Sequence, residues 1–168
     1  MEPGDALSKG AQIAVAFAGL TGVVVVRRGA AVHAWPQADK FRLKLLLTTS
    51  LLPLALCLLG LLLLAADLPA PMVWRWCSGV AALVLLTGSV MFTGTFIRIP
   101  WRELRRVEAS RALFWSFSAV GLGFCLLLAY NAAVLERFWP FFAFIVSALL
   151  VTLVQFIRFI LARSVQSR

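Results

Sequence analysis

Few side chains in this sequence have types that could do chemistry, and their spacing excludes most of it. The one histidine, His33, has no second histidine with which to build a two-His metal motif, and no serine stands in the pattern of a nucleophile elbow. Cys57, Cys77 and Cys125 are 20 and 48 residues apart, which is neither redox nor metal-ligand spacing. The 7 Asp and Glu residues all fall outside the apolar runs, so the midplane carboxylates of a proton-coupled pump or an intramembrane aspartyl protease are missing. These patterns predict no catalytic, cofactor or metal site and a protein that is not an enzyme. The cysteines read as small packing residues and His33 as a solvated loop residue.

Polar side chains on apolar helices are the remaining candidates. Thr87, Met91, Gly94, Thr95 and Arg98 recur at three- and four-residue spacing, so they share one helix face. Such a face could line an aqueous path or draw an anion. Thr and Gly at that spacing also serve close helix contact and interhelical hydrogen bonds, with Arg98 snorkelling to the interface. Arg75, between Trp74 and Trp76, has Asp67 and Glu136 as acidic partners or a ligand as a target; alternatively it stacks on an aromatic ring and touches lipid phosphate. Tyr130 and Asn131 pose the same choice, and Gln155 and Arg158 close the last apolar run, where the arginine stem can reach headgroups.

The elements that must position these residues follow from composition. Of 168 residues, 62% are apolar and 14% charged, too little polar side chain to cover a water-soluble globule. Apolar runs at 11–26, 45–66, 73–97, 112–135 and 138–157 predict an all-α integral membrane protein, a single membrane domain built as a bundle of five transmembrane helices. The first run gives only about 24 Å of helix at 1.5 Å per residue unless Ser8 to Gly10 extend it, so four helices is the alternative. Glu2 and Asp5, with only Lys9 as a basic residue and no convincing small-residue cleavage site, argue against a signal peptide.

Charge sets the expected direction. The net +9 resides in short segments beside apolar runs rather than in a basic patch interleaved with aromatics, which argues against nucleic acid as a partner. The basic loops 27–44 and 98–111, with Arg158, Arg163 and Arg168 of the tail, hold 13 of the 16 Lys and Arg residues; Lys9, Arg75 and Arg137 remain for the other side. The positive-inside rule then places the N-terminus outside and the C-terminus in the cytoplasm. The stretch 100–111 is expected to continue into the fourth helix and to anchor on anionic lipid headgroups, at about 1 kcal/mol per basic residue. Trp74, Trp76 and Trp139 fall at the outer edge and Trp35, Trp101 and Trp115 at the inner.

Local punctuation agrees with these boundaries. Residues 67–71 force a tight turn through two prolines, and Pro140 suits the first turn of the last helix. Pro53 frees the carbonyl of Thr49, and Thr48, Thr49 and Ser50 are the expected hydrogen-bonding groups around it. Small residues recur every fourth position as Ala14, Ala18 and Gly22, and as Gly121, Cys125, Ala129 and Ala133, which are expected helix-packing faces within the chain or between copies or partner proteins.

The strings FAGLTGVVVVRR (17–28), DKFRL (39–43), VWR (73–75) and QFIR (155–158) together resemble a group of uncharacterised small multi-span proteins of the bacterial inner membrane. The resemblance covers most of the chain and brings no activity with it. It implies an inner-membrane location and a role beyond topology for Arg75 and Arg158. The expected function is a non-enzymatic structural or regulatory bundle, homo-oligomeric or part of a larger membrane assembly; the alternative is a small oligomeric channel or facilitator that uses the polar face of the third helix.

Overall fold

A computed structural model describes residues 2–27, 37–97 and 108–166, and every secondary-structure element among them is helical. The helices are α1 (Pro3–Arg27), α2 (Gln37–Ala65), α3 (Ala70–Ile97), α4 (Glu108–Tyr130, prolonged by a π-helical turn, Asn131–Leu135) and α5 (Phe138–Gln166). Four of them are long and apolar enough to cross a membrane, over Pro3–Val23, Leu43–Ala65, Ala70–Met91 and Phe138–Ile157; the apolar stretch described in α4, Ala119–Leu135, is shorter. His33, Arg98 and most of the basic loops 27–44 and 98–111 lie outside the described residues, as do the side chains of Thr95 and Arg158.

The first helix is longer than its apolar run. Pro3 opens it, where a missing N–H costs nothing, and Asp5 places a negative charge in its first turn. Its 25 residues span about 37 Å, more than the ~30 Å of a hydrocarbon core. At the end of α2, Asp67 takes a left-handed conformation (φ 51°), which a short polar side chain tolerates, and the chain leaves the helix there. Backbone N–H groups of Met72 and Val73 then donate to the carbonyl of Pro69 at 2.9 and 3.2 Å, starting α3.

The chain divides into two units. Met1–Leu68 with Phe142–Arg168 form the first, where α1 packs on α2 and buries Leu7, Ala14, Leu46, Leu56 and Cys57, with Ile145 and Leu149 buried on α5. Gly10 allows this approach: a Cβ there would stand 3.2 Å from Cys57 Sγ and 3.7 Å from Ile145 Cγ2. Ala14, one turn on, is fully buried and Ala18 half-buried, whereas Gly22 is exposed and a Cβ on it would meet nothing within 4 Å.

Pro53 is buried in α2. The carbonyl it frees, that of Thr49, accepts a hydrogen bond of 2.9 Å from the Thr152 hydroxyl of α5. The neighbouring hydroxyls named from the sequence act otherwise: those of Thr48, Thr49 and Ser50 donate to the carbonyls of Lys44, Leu46 and Leu47. Geometry explains the difference, since a hydroxyl on a helix reaches carbonyls three or four residues earlier on its own chain. Positions 52 and 53, from which a hydroxyl could reach the Thr49 carbonyl, hold Leu and Pro, so its donor has to come from another helix. Half-buried Gln155 lies one turn beyond Thr152, and its Oε1 is 3.4 Å from the Thr49 hydroxyl.

Pro69–Phe141 form the second unit, where α3 packs on α4 and its π-turn around Val73, Trp74, Cys77, Ala81, Leu128 and Phe141. Trp74 is only 5% exposed and its ring lies 4.8 Å from that of Phe138 and 6.4 Å from that of Phe141, so it belongs to the core rather than to an interfacial belt. Trp76 and Trp139 are the exposed ones.

The bond to Thr49 gives a direct test of this account. Thr152→Val keeps the β-branched shape and deletes the donor, and is expected to lower stability by about 1 kcal/mol. Thr152→Ser is expected to retain most of it. Unfolding of the detergent-solubilised protein, followed by far-ultraviolet circular dichroism, measures both.

Candidate functional site

The second unit carries a groove where α3 begins and α4 ends. It offers about 680 Å³ and is open to the outside. Prolines 69 and 71, Met72 and Trp76 form the side belonging to the start of α3. Gly79 with Ala129, Ala132 and Ala133 forms a floor of side chains no longer than a methyl group. An added Cβ at Gly79 would be 4.0 Å from the Cβ of Ala132, so the two helices approach closely here.

Arg75 and Glu136 stand at the rim. Arg75 Nη1 is 3.7 Å from Glu136 Oε1, with side chains 62% and 34% exposed. At that distance the contact is an ion pair without the 2.7–2.9 Å approach of a charge-assisted hydrogen bond, and an exposed pair of this kind contributes about 0–1 kcal/mol to stability. The two groups therefore mark a place where opposite charges are held side by side more than they hold the fold together.

Glu136 owes its position to the turn around it. The π-turn closes with the Glu136 N–H donating to the Asn131 carbonyl at 2.9 Å, and Glu136 itself is left-handed (φ 50°, ψ 35°). Asn131 is fully buried and spends its whole amide on this junction. Its Nδ2 donates to Ser78 Oγ of α3 at 2.7 Å and to the Arg137 carbonyl at 2.9 Å, and its Oδ1 accepts from the Arg137 N–H at 3.1 Å. One side chain thus fixes α4 to α3 and turns the chain into α5 with only Glu136 and Arg137 as the connection.

The other residues singled out from the sequence separate into different places. Tyr130 is exposed, whereas its neighbour Asn131 is interior. On α3, Thr87 is exposed and its hydroxyl donates to the carbonyls of Leu83 and Val84 at 2.9 and 3.1 Å; Met91 is 68% exposed and Gly94 is open to its surroundings. Of the small residues on α4, Gly121 has nothing within 4 Å of an added Cβ, and half-buried Cys125 donates to the Ala82 carbonyl at 3.8 Å. Ala129 and Ala133 line the groove. Among the described residues no three His, Cys, Asp or Glu side chains gather as metal ligands.

Sequence reasoning missed Ser78, Gly79 and Ala132. Part of a signal was present: Cys77, Ser78 and Gly79 are three consecutive small residues, but that they face Asn131 is seen only in the fold. Comparison of the chain with protein-family models, curated proteins and solved structures finds no match.

Asn131→Leu removes three hydrogen bonds and leaves Ser78 Oγ facing an apolar side chain. A loss of about 2 kcal/mol is expected, from the desolvated partners left behind. Trypsin cleavage after Arg137 should accelerate in the same variant, because the turn loses its clamp; an unchanged digestion rate would show that packing alone holds the junction.

Proposed function

We propose that this chain is a multi-pass protein of the bacterial inner membrane, with five spans, the N-terminus outside and the C-terminus cytoplasmic, acting as a non-enzymatic structural or regulatory bundle within a homo-oligomer or a larger membrane assembly. The observation that carries the reading is the use made of interior polar groups. Thr152, Asn131 and Ser78 join helix to helix or helix to turn through 2.7–2.9 Å hydrogen bonds. The helix faces left exposed carry large apolar side chains such as Leu83, Leu86, Val90, Leu122 and Leu126. In a membrane those faces meet lipid or another protein. Small residues on them, Gly22 and Gly121, leave room for a second backbone to approach. The basic segments support cytoplasmic anchoring on anionic headgroups.

Orientation and assembly are tested separately. Asp67→Cys is expected to react with an impermeant maleimide on intact cells and Glu108→Cys only after permeabilisation; the reverse pattern would invert the topology. Purified protein is expected to sediment as an oligomer or with a stoichiometric partner. Gly22→Leu with Gly121→Leu should reduce that assembly while leaving helix content unchanged. A stable monomer, unaffected by these substitutions, would overturn the assembly role.

A second reading, a small oligomeric channel or facilitator, is favoured by the exposure of Thr87 and Met91 on one side of α3. It requires solute flux in reconstituted liposomes that Thr87→Leu with Thr95→Leu abolishes.

A further inference from the structure

The groove at the start of α3 has two properties that together select a ligand. Its rim presents a guanidinium and a carboxylate 3.7 Å apart, both reachable from outside, and its floor is apolar with side chains no longer than a methyl group. An isolated anion at this rim would be drawn by Arg75 and repelled by Glu136; an isolated cation would meet the opposite pair of forces. A molecule with a phosphate next to a positively charged amine satisfies both groups at once. An alkyl chain is what the floor can accept, because Gly79 and the alanines let it lie almost on the helix backbones. The volume, about 680 Å³, falls within the roughly 300–1,000 Å³ of small-molecule sites.

We propose that this groove binds a phospholipid with a primary-amine headgroup, its phosphate on Arg75, its ammonium on Glu136 and one acyl chain over Gly79 and Ala132. The inference rests on reading α3 and α4 as membrane helices. Arg75 then lies at headgroup depth beside the exposed ring of Trp76, an amphipathic side chain that favours that layer. A primary ammonium carries three N–H donors, of which one or two can be given to a carboxylate. A trimethylated one donates none, and a headgroup without a cation leaves Glu136 unanswered. The carboxylate is well placed for such selection, because Asn131 holds the backbone N–H of Glu136 itself and that of the next residue, Arg137.

Native mass spectrometry of the detergent-purified protein, supplied with equal phosphatidylethanolamine, phosphatidylcholine and phosphatidylglycerol, reads the preference directly. Phosphatidylethanolamine adducts are expected to exceed each of the others by about fivefold, the ratio that one partly screened ammonium–carboxylate contact supports. Glu136→Gln is expected to bring the phosphatidylethanolamine-to-phosphatidylcholine ratio to within about twofold while phosphate binding persists, and Arg75→Gln to lower adducts of all three lipids. Gly79→Leu should fill the floor and exclude the acyl chain; the two rim variants, at an exposed and a half-buried position, carry the test if Gly79→Leu does not fold. Equal adducts of the three lipids, or a phosphatidylethanolamine preference unchanged by Glu136→Gln, would overturn the proposal. Resistance to alkaline carbonate extraction, measured on the same membranes, keeps the two readings apart: extractable protein overturns the membrane assignment and the site with it, whereas resistant protein without lipid preference overturns the site alone.

Discussion

A carbonyl that loses its helical partner in an apolar interior has no water to turn to, so another part of the chain has to supply a donor. Pro53 creates that situation at Thr49, and Thr152 answers it from more than a hundred residues away with a 2.9 Å hydrogen bond. The constraint acts on both partners. The Thr152 hydroxyl also lies 2.9 Å from the Ala148 carbonyl of its own helix, so it is anchored locally while it reaches across. A proline that would weaken an isolated helix becomes a point of attachment between α2 and α5. The specificity is chemical as well as steric, because a valine of the same shape has nothing to donate.

The same rule shapes the second unit, with an amide in place of a hydroxyl. Asn131 is fully buried, and an asparagine in an apolar setting carries two donors and one acceptor site that all need partners. Ser78, the Arg137 carbonyl and the Arg137 N–H provide them. Because two of the three partners belong to the turn, satisfying the side chain and folding the junction are one event. Aromatic packing of Trp74 on Phe138 and Phe141 then fixes the first turn of α5 against α3.

The sequence made the helices legible because their signal is redundant: each apolar run is many residues long, and no single residue decides it. Boundaries set by proline or by a short polar connection were equally readable, as at Pro140 and at Glu136 with Arg137. Pairings were not. The sequence identifies the Thr49 carbonyl as needing a donor, but only the fold brings Thr152 to it. Gly10 shows a different kind of gap. It stands four residues before Ala14 and extends that small-residue stripe by one turn, yet it precedes the apolar run, whose bounds leave it out. Asn131 is visible as a polar residue in an apolar stretch, open to a ligand or an interfacial contact; its role as a clamp is not legible, because its partner Ser78 lies 53 residues away.

The left-handed turn at Glu136 bears on why a charged residue stands there. A residue with a side chain costs about 1–2 kcal/mol in that conformation, and glycine would avoid most of it. Three hydrogen bonds from Asn131, at about 1 kcal/mol each net, are enough to offset the strain, so the turn tolerates glutamate without requiring it. Nor does stability require it through Arg75, since an ion pair this exposed and this long contributes little. Backbone conformation favours glycine and the ion pair barely favours glutamate, so neither the turn nor the pairing accounts for the side chain. The junction therefore does two jobs with one set of bonds: it reverses the chain between α4 and α5, and it holds a negative charge beside a positive one above an apolar floor.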